Sequence, residues 1–203
     1  MTDAKPTRSE EKRRAILDAA RRAFRENGVQ ATSMDALAAM AEVSKRTVYN
    51  HFKSKEALVA YLIAELWQRS MQQIEVRYDA QAPLDAQLRE VVEAEIEVIC
   101  NPEYLELARI ALGHFFYHPE ALTDAMAVMA AQETAVSRWL GVARGDTRLR
   151  EFEQEIASEQ LHSLIKGSCF WPQLLQMAPP LDADARRALA ARSVAMFLDH
   201  YTR

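Results

Sequence analysis

Apolar residues return every three or four positions along most of the chain, the spacing of helices that each bury one stripe. Ile16, Ala20 and Phe24 share one face of a first helix that begins near Thr7 or Ser9, where Thr7 and Glu10 are spaced as a capping box. Gly28 suits the left-handed backbone that ends it. No stretch alternates apolar and polar residues long enough to make a strand, and Val, Ile and Thr supply only 28 of the 203 residues. The pattern predicts an all-α chain. Breakers at Gly28, Pro83, Pro102, Pro119, Gly141 with Gly145, and Pro179–Pro180 divide it into about nine helices.

Residues 32–58, TSMDALAAMAEVSKRTVYNHFKSKEAL, parse as two short helices and the start of a third. Thr32 and Ser33 can cap the first, with Asp35 in its opening turn, where the helix dipole favours an acid. Met34, Leu37 and Ala38 supply its buried face. Ala41, Glu42 and Val43 make a turn, and Ser44 caps the next helix, the layout of a helix-turn-helix. With Val48 and Phe52 on the core side, Arg46 and Asn50 point about 160° away from Val48. Thr47 and Tyr49 lie to either side, and Lys45 sits in the first turn. Arginine can pair with guanine and asparagine with adenine in a major groove, whereas Thr47, Tyr49 and His51 suit phosphates. Ser54 then caps a long helix whose first residue is Lys55. A cation there opposes the helix dipole, and makes sense if a phosphate lies opposite.

Charge adds to that picture. Residues 1–60 hold 12 Lys+Arg against 8 Asp+Glu, and residues 61–203 hold 13 against 21, so a head of net +4 precedes a body of net −8. A basic head suits a polyanion. Apolar residues at 49% and charged residues at 27% exclude a wholly disordered chain. The longest run without Asp, Glu, Lys or Arg, Gly167 to Leu181, contains three prolines, so no bilayer-spanning segment is expected. The charged N-terminus lacks the apolar core of a signal peptide, which points to the cytoplasm. Cys100 and Cys169 lack zinc-site spacing and are expected reduced and partly buried.

The first helix, T-S-M-D-A-L-A, the turn, V-S-K-R-T-V-Y-N-H-F and S-K-E-A-L follow one another across residues 9–60 as they do in the head of the tetracycline-repressor (TetR) family of transcription regulators, which this chain resembles. The resemblance implies that Lys45, Arg46, Thr47 and Asn50 face bases while Thr32, Ser33, Tyr49, His51 and Lys55 hold the DNA backbone. One departure is Glu42, where the family usually has glycine. A left-handed backbone there would cost up to roughly 1–2 kcal/mol. The resemblance also implies two domains, a DNA-binding head over residues 1–54 and an effector-binding and dimerisation body over residues 55–203. It further implies a homodimer reading a palindromic operator.

In the body the family likeness is one of helix count and order, so detail rests on residues. A helix from Lys55 to about Asp79 is long enough to link head and body, with Trp67, Met71 and Ile74 inward. His114, Phe115, Tyr117 and His118, followed by Pro119, end one helix, and Met126, Met129 and Trp139 come from the next. Together these residues, His118 apart, are the candidate lining of an adaptable apolar pocket. Such residues are equally what any helical core contains. The last two long helices, near 148–177 and 182–201, carry Leu161, Leu164, Phe170, Trp171, Leu174, Leu189, Met196 and Phe197. The resemblance makes them a four-helix dimer interface, with Pro172 kinking or ending the first helix early.

His114 and His118 share a helix face, as a metal site requires, and Glu159 with His162 matches one half of a di-iron motif. No third ligand or repeat accompanies either, and no GxSxG, P-loop, GxGxxG or HExxH occurs. No cofactor, metal or catalysis is expected. The reading is a homodimeric DNA-binding regulator, most simply a repressor, released by a small apolar or amphipathic effector. The alternatives are a constitutive DNA-binding protein with a filled core, and a helical-bundle metal protein or enzyme.

Overall fold

The computed structural model describes residues 7–115 and 133–203, among which there are ten helices and no strand. They are α1 (Arg8–Ala31), α2 (Met34–Met40), α3 (Lys45–His51), α4 (Lys55–Gln73), α5 (Leu84–Ile99), α6 (Pro102–Phe115), α7 (Ala135–Ala143), α8 (Gln154–Cys169), α9 (Trp171–Leu174) and α10 (Ala183–Tyr201). No helix among the described residues is long and apolar enough to cross a membrane.

The start of α1 is the capping box expected from the spacing: the Thr7 hydroxyl accepts from the Glu10 N–H, and the Glu10 carboxylate accepts from the Thr7 N–H at 2.7 Å. Gly28 breaks the helix with φ 76° and ψ 158°, and a short turn continues to Ala31. Ile16, Ala20 and Phe24 from α1 meet Leu37 of α2 and Val48 of α3 in one apolar cluster. Burial of each large side chain there contributes roughly 1.5–3 kcal/mol. The same cluster runs on through Leu58, Leu62, Trp67 and Met71 of α4, which lies along α6, while α10 lies along α5 and against α8.

Two helices are shorter than their apolar stripes suggest. α4 ends at Gln73 instead of continuing to Asp79, because Arg138 of α7 takes the Met71 and Ile74 carbonyls at 2.5 and 3.0 Å. The chain then runs on without helix, yet Ile74, Val76 and Tyr78 still pack against the core. α8 ends at Cys169, and Phe170 (φ −97°, ψ −62°) separates it from α9, in whose first turn Pro172 sits. The break precedes the proline because the ring disfavours helix at the residue before it and removes a backbone donor.

The segment after α4 is pinned to the one after α7. The Tyr78 hydroxyl donates to Asp146, and Arg148 pairs with Asp146 at 2.8 Å while donating to the Ala82 carbonyl at 2.8 Å. The Arg148 guanidinium foremost, then the Tyr78 hydroxyl, holds the Asp146 carboxyl well below the usual carboxylate range. A carboxylate lowered in this way stabilises the fold fully above its unfolded value, and that contribution is lost as pH falls below about 4 toward the folded value. Asp146→Asn should therefore flatten the acid limb of the stability profile between about pH 5 and pH 2. Denaturant titrations across that range check it, and an unchanged limb would show that Asp146 carries none of the dependence.

Candidate nucleic-acid interface

α2 and α3 are short, and each is started by a serine. Ser33 accepts from the Ala36 N–H and Ser44 from the Thr47 N–H, both at 3.1 Å. Between them Glu42 adopts φ 53°, the left-handed backbone that its place in the turn demands. The turn is closed by Val43 N–H donating to the Ala38 carbonyl at 3.0 Å and Glu42 N–H to Ala39 at 3.2 Å. The strain is held by the burial of Leu37, Ala38 and Ala41 on one side and Val48 on the other.

Val48 and Phe52 face the core, so the opposite side of α3 is open. Arg46 and Asn50 are exposed there, as are Lys45 and Tyr49, while Thr47 and His51 are half-buried. Lys45 pairs with Asp35 of α2 at 2.5 Å on the surface, and the Thr47 and Ser44 hydroxyls are 2.8 Å apart. Ser33 is exposed at the start of α2. Thr32, expected on the DNA backbone, is only 4% exposed, and its hydroxyl donates to the Gly28 carbonyl at 2.8 Å. It closes the end of α1 and has no free hydroxyl proton to offer a phosphate.

α4 is joined to these helices at its first turn and along its flank. Ser54 caps it by accepting from the Ala57 N–H at 3.1 Å, and Lys55 is half-buried, with Nζ 3.3 Å from the Gln30 carbonyl. The Arg13 guanidinium lies over the rings of Phe52 (5.1 Å) and Tyr61 (4.4 Å), clamping the end of α3 between α1 and α4. Arg21 of α1 reaches Glu65 of α4 at 2.6 Å, and Arg69 takes the other oxygen of Glu65 at 2.9 Å. Arg25 faces Glu103 of α6 at 3.9 Å. The orientation of α3 is thus tied to α4 and α6 by both packing and charge.

In the body, Trp67, Met71 and Trp139 are buried and Ile74 is half-buried, each packed against its neighbours. Trp67 stacks tilted on Tyr104 at 5.3 Å and carries the Lys166 ammonium over its ring at 5.4 Å; Trp139 meets Tyr78 edge-on at 5.5 Å. The other expected lining residues, Tyr117, Met126 and Met129 with the side chains of His114 and Phe115, lie outside the described residues, as does His118. Among the described residues no group of three His, Cys, Asp or Glu side chains could hold a metal ion.

Glu95, not singled out from the sequence, is the polar centre of this core. Its side chain has no exposed surface; Oε1 accepts from the Val136 N–H at 2.6 Å, and Oε2 lies 2.7 Å from His162 Nε2, whose Nδ1 is 3.3 Å from the Ser158 hydroxyl. His162 therefore pairs across the bundle with Glu95, and Glu159, its partner in the di-iron spacing, is exposed. The stripe Leu88, Val91, Val92, Glu95, Ile96, Ile99 was the available signal, because Glu95 falls on it at helical spacing. Burial lowers the Lys166 ammonium from its usual value, opposed by the charge of Glu95.

The expected dimer-interface residues divide in two. Leu161, Leu174, Leu189 and Phe197 are buried within the single chain, so their side chains have almost no surface left to give a second copy. Trp171 and Met196 (64%) are exposed, and Leu164 and Phe170 are half-buried. Leu164 and Met196 flank an open groove of about 390 Å³ between α8 and α10.

Residues 16–62 match the family described as bacterial regulatory proteins, tetR family, and residues 86–203 match the family described as AefR-like transcriptional repressor, C-terminal domain. The HTH-type transcriptional regulator UidR of Escherichia coli (strain K12) is 41% identical over 70 residues, 34% of this chain and 33% of UidR. AcrR of Shigella flexneri is 33% identical over 126 residues, 61% of this chain and 57% of AcrR. The chain thus aligns with a third of the one relative and little over half of the other. Likeness to solved structures is end to end. A TetR family transcriptional regulator from Pseudomonas syringae pv. tomato is 36% identical with a TM-score of 0.69, covering 95% of this chain and 98% of that one. The flavonoid-responsive regulator FrrA is 26% identical with a TM-score of 0.67, covering 94% and 97%.

Proposed function

Because the chain belongs to the TetR family of transcriptional regulators, we propose that it is a repressor that reads a palindromic operator as a homodimer and leaves it when a small apolar or amphipathic effector binds the body. The division of labour follows the sequence reading, with residues 1–54 as the DNA-binding unit and residues 55–203 as the effector and dimer unit. The observation that carries the proposal is the open face of α3, where Arg46 and Asn50 are exposed opposite the buried Val48. Lys45 and Thr47 flank them at the base edges, and Ser33, Tyr49, His51 and Lys55 are placed for phosphates. Thr32 contributes by ending α1.

Of the expected interface residues, Trp171, Met196, Leu164 and Phe170 are those with surface to offer a second copy, along α8, α9 and α10. A two-fold axis there would set the spacing of the two α3 helices to one turn of DNA. An effector acts by preferring one arrangement of α4 over another, and the Arg21–Glu65 and Arg25–Glu103 pairs carry α1 with it. FrrA's response to flavonoids makes an aromatic compound a reasonable first effector class to screen.

Selection of bound genomic fragments, followed by titrations on the matched site and on single mismatches, tests the reading. Arg46→Ala should relax preference at one base pair by about 1–3 kcal/mol. Lys55→Ala should weaken all sequences alike and reduce the salt slope by about one. Unchanged discrimination by Arg46→Ala would overturn the groove assignment, and an operator affinity indifferent to every aromatic compound tried would favour the constitutive alternative.

A further inference from the structure

α3 has seven residues and a length of about 10 Å, too short to keep its shape without support from outside. Its two ends are supported differently. At the start, the Ser44 hydroxyl accepts from the Thr47 N–H at 3.1 Å, and Lys45 reaches Asp35 of α2. At the other end the chain leaves the helix at Phe52 (φ −137°, ψ 114°), whose N–H donates to the Val48 carbonyl at 2.8 Å. The Phe52 ring is only 4% exposed and meets Tyr61 of α4 edge-on at 5.7 Å. The last turn of α3 is therefore held by where that ring sits.

Arg13 of α1 fixes the ring from a third direction. Its guanidinium carbon lies 4.4 Å from the Tyr61 ring centroid and 5.1 Å from that of Phe52, so one planar cation covers both. Arg13 is half-buried. The ion pairs of α1 belong to Arg21 and Arg25, and among the described residues none belongs to Arg13, so the two rings are what its charge meets. Arg46 and Asn50, in the first and last turns of α3, are four residues apart, about 6 Å along the axis and close to two base-pair steps. A disturbance at Phe52 reaches Asn50 before Arg46.

We propose that Arg13 is a positioning residue for sequence discrimination: without touching DNA, it sets where the last turn of α3, and so Asn50, sits against the base pair that Asn50 reads. This rests on the docking of α3 proposed above. A side chain whose loss merely loosened the head would weaken every base pair alike. One that fixes a single turn acts on one end of the readout. Lysine at this position keeps the charge but not the flat surface that lies on two rings at once, so it is a partial substitute.

Titrations of the full-length protein on its selected operator and on single mismatches test this, with Arg46→Ala and Asn50→Ala marking the base pair that each side chain reads. Arg13→Ala should lower discrimination at the Asn50 base pair by at least about fivefold and leave that at the Arg46 base pair within about twofold of wild type. Combined with Asn50→Ala it should relax that pair no further, whereas combined with Arg46→Ala the two losses should add. Arg13→Lys should restore part of the loss. Tyr61→Leu, which removes one of the two rings, should reproduce it while Tyr61→Phe does not, and this pair decides if Arg13→Ala fails to fold. Equal relaxation at both base pairs, or none at either, would overturn the proposal. So would a uniform weakening with a salt slope lower by about one, the mark of a phosphate contact. If Arg46→Ala and Asn50→Ala themselves leave discrimination intact, the docking of α3 falls, and this inference with it.

Discussion

Glu95→Ala is expected to lower the unfolding free energy by roughly 3–5 kcal/mol, because it strands two buried donors at once. The first is the Val136 N–H in the opening turn of α7, and the second is the side of His162 that now faces Glu95. The carboxylate between them has no exposed surface, and the His162 side chain has little. Glu95→Gln keeps one carbonyl oxygen for Val136 and leaves His162 an amide to meet, so it should cost only about 1–2 kcal/mol. Urea titrations of the three proteins check the order. A loss below about 1 kcal/mol for the alanine variant would mean that the site can rehydrate or collapse.

Trp139→Ala should cost about as much, roughly 3–5 kcal/mol, by a different route. Trp139 is 0% exposed, lies in the same helix as Val136, and supports Tyr78 edge-on at 5.5 Å. Removing the indole leaves a cavity that the flanking helices cannot fill without moving, and also loosens the Tyr78 end of the Asp146–Arg148 latch. Trp139→Phe should lose less than half as much. It keeps a ring against Tyr78 and discards Nε1, a buried donor with no partner among the described residues. Equal losses for the two substitutions would show that a phenyl ring does not fill the site and that the full indole volume is needed. The same urea titrations report both.

The parts of this molecule that could be read from its sequence are those whose determinants lie within a turn of one another. Ser33, Ser44 and Ser54 each bond the N–H three residues on, Thr7 and Glu10 close their box, and Val48 with Phe52 sets which side of α3 faces out. Glu42 takes the left-handed backbone that the position requires in spite of its side chain. What could not be read depends on partners far along the chain. The end of α4 is set by Arg138, 64 residues beyond Ile74, and apolar spacing alone carried the expected helix past it. Likewise a stripe on α8 or α10 records that a residue is buried and not by what. That is why Leu161, Leu174, Leu189 and Phe197 resembled interface residues although the chain's own core covers them. Glu95 was legible as a charge on an apolar stripe, but its partners, at Val136 and His162, were not.

The Lys45–Asp35 pair on the proposed reading surface bears on how tightly such a surface could grip a polyanion. A lysine that already owns a fixed counter-ion draws fewer mobile ions from its surroundings, so its approach to a phosphate is an exchange of neighbours, with one carboxylate left behind to be hydrated. The ionic-strength dependence of association would then register fewer cations than the surface displays.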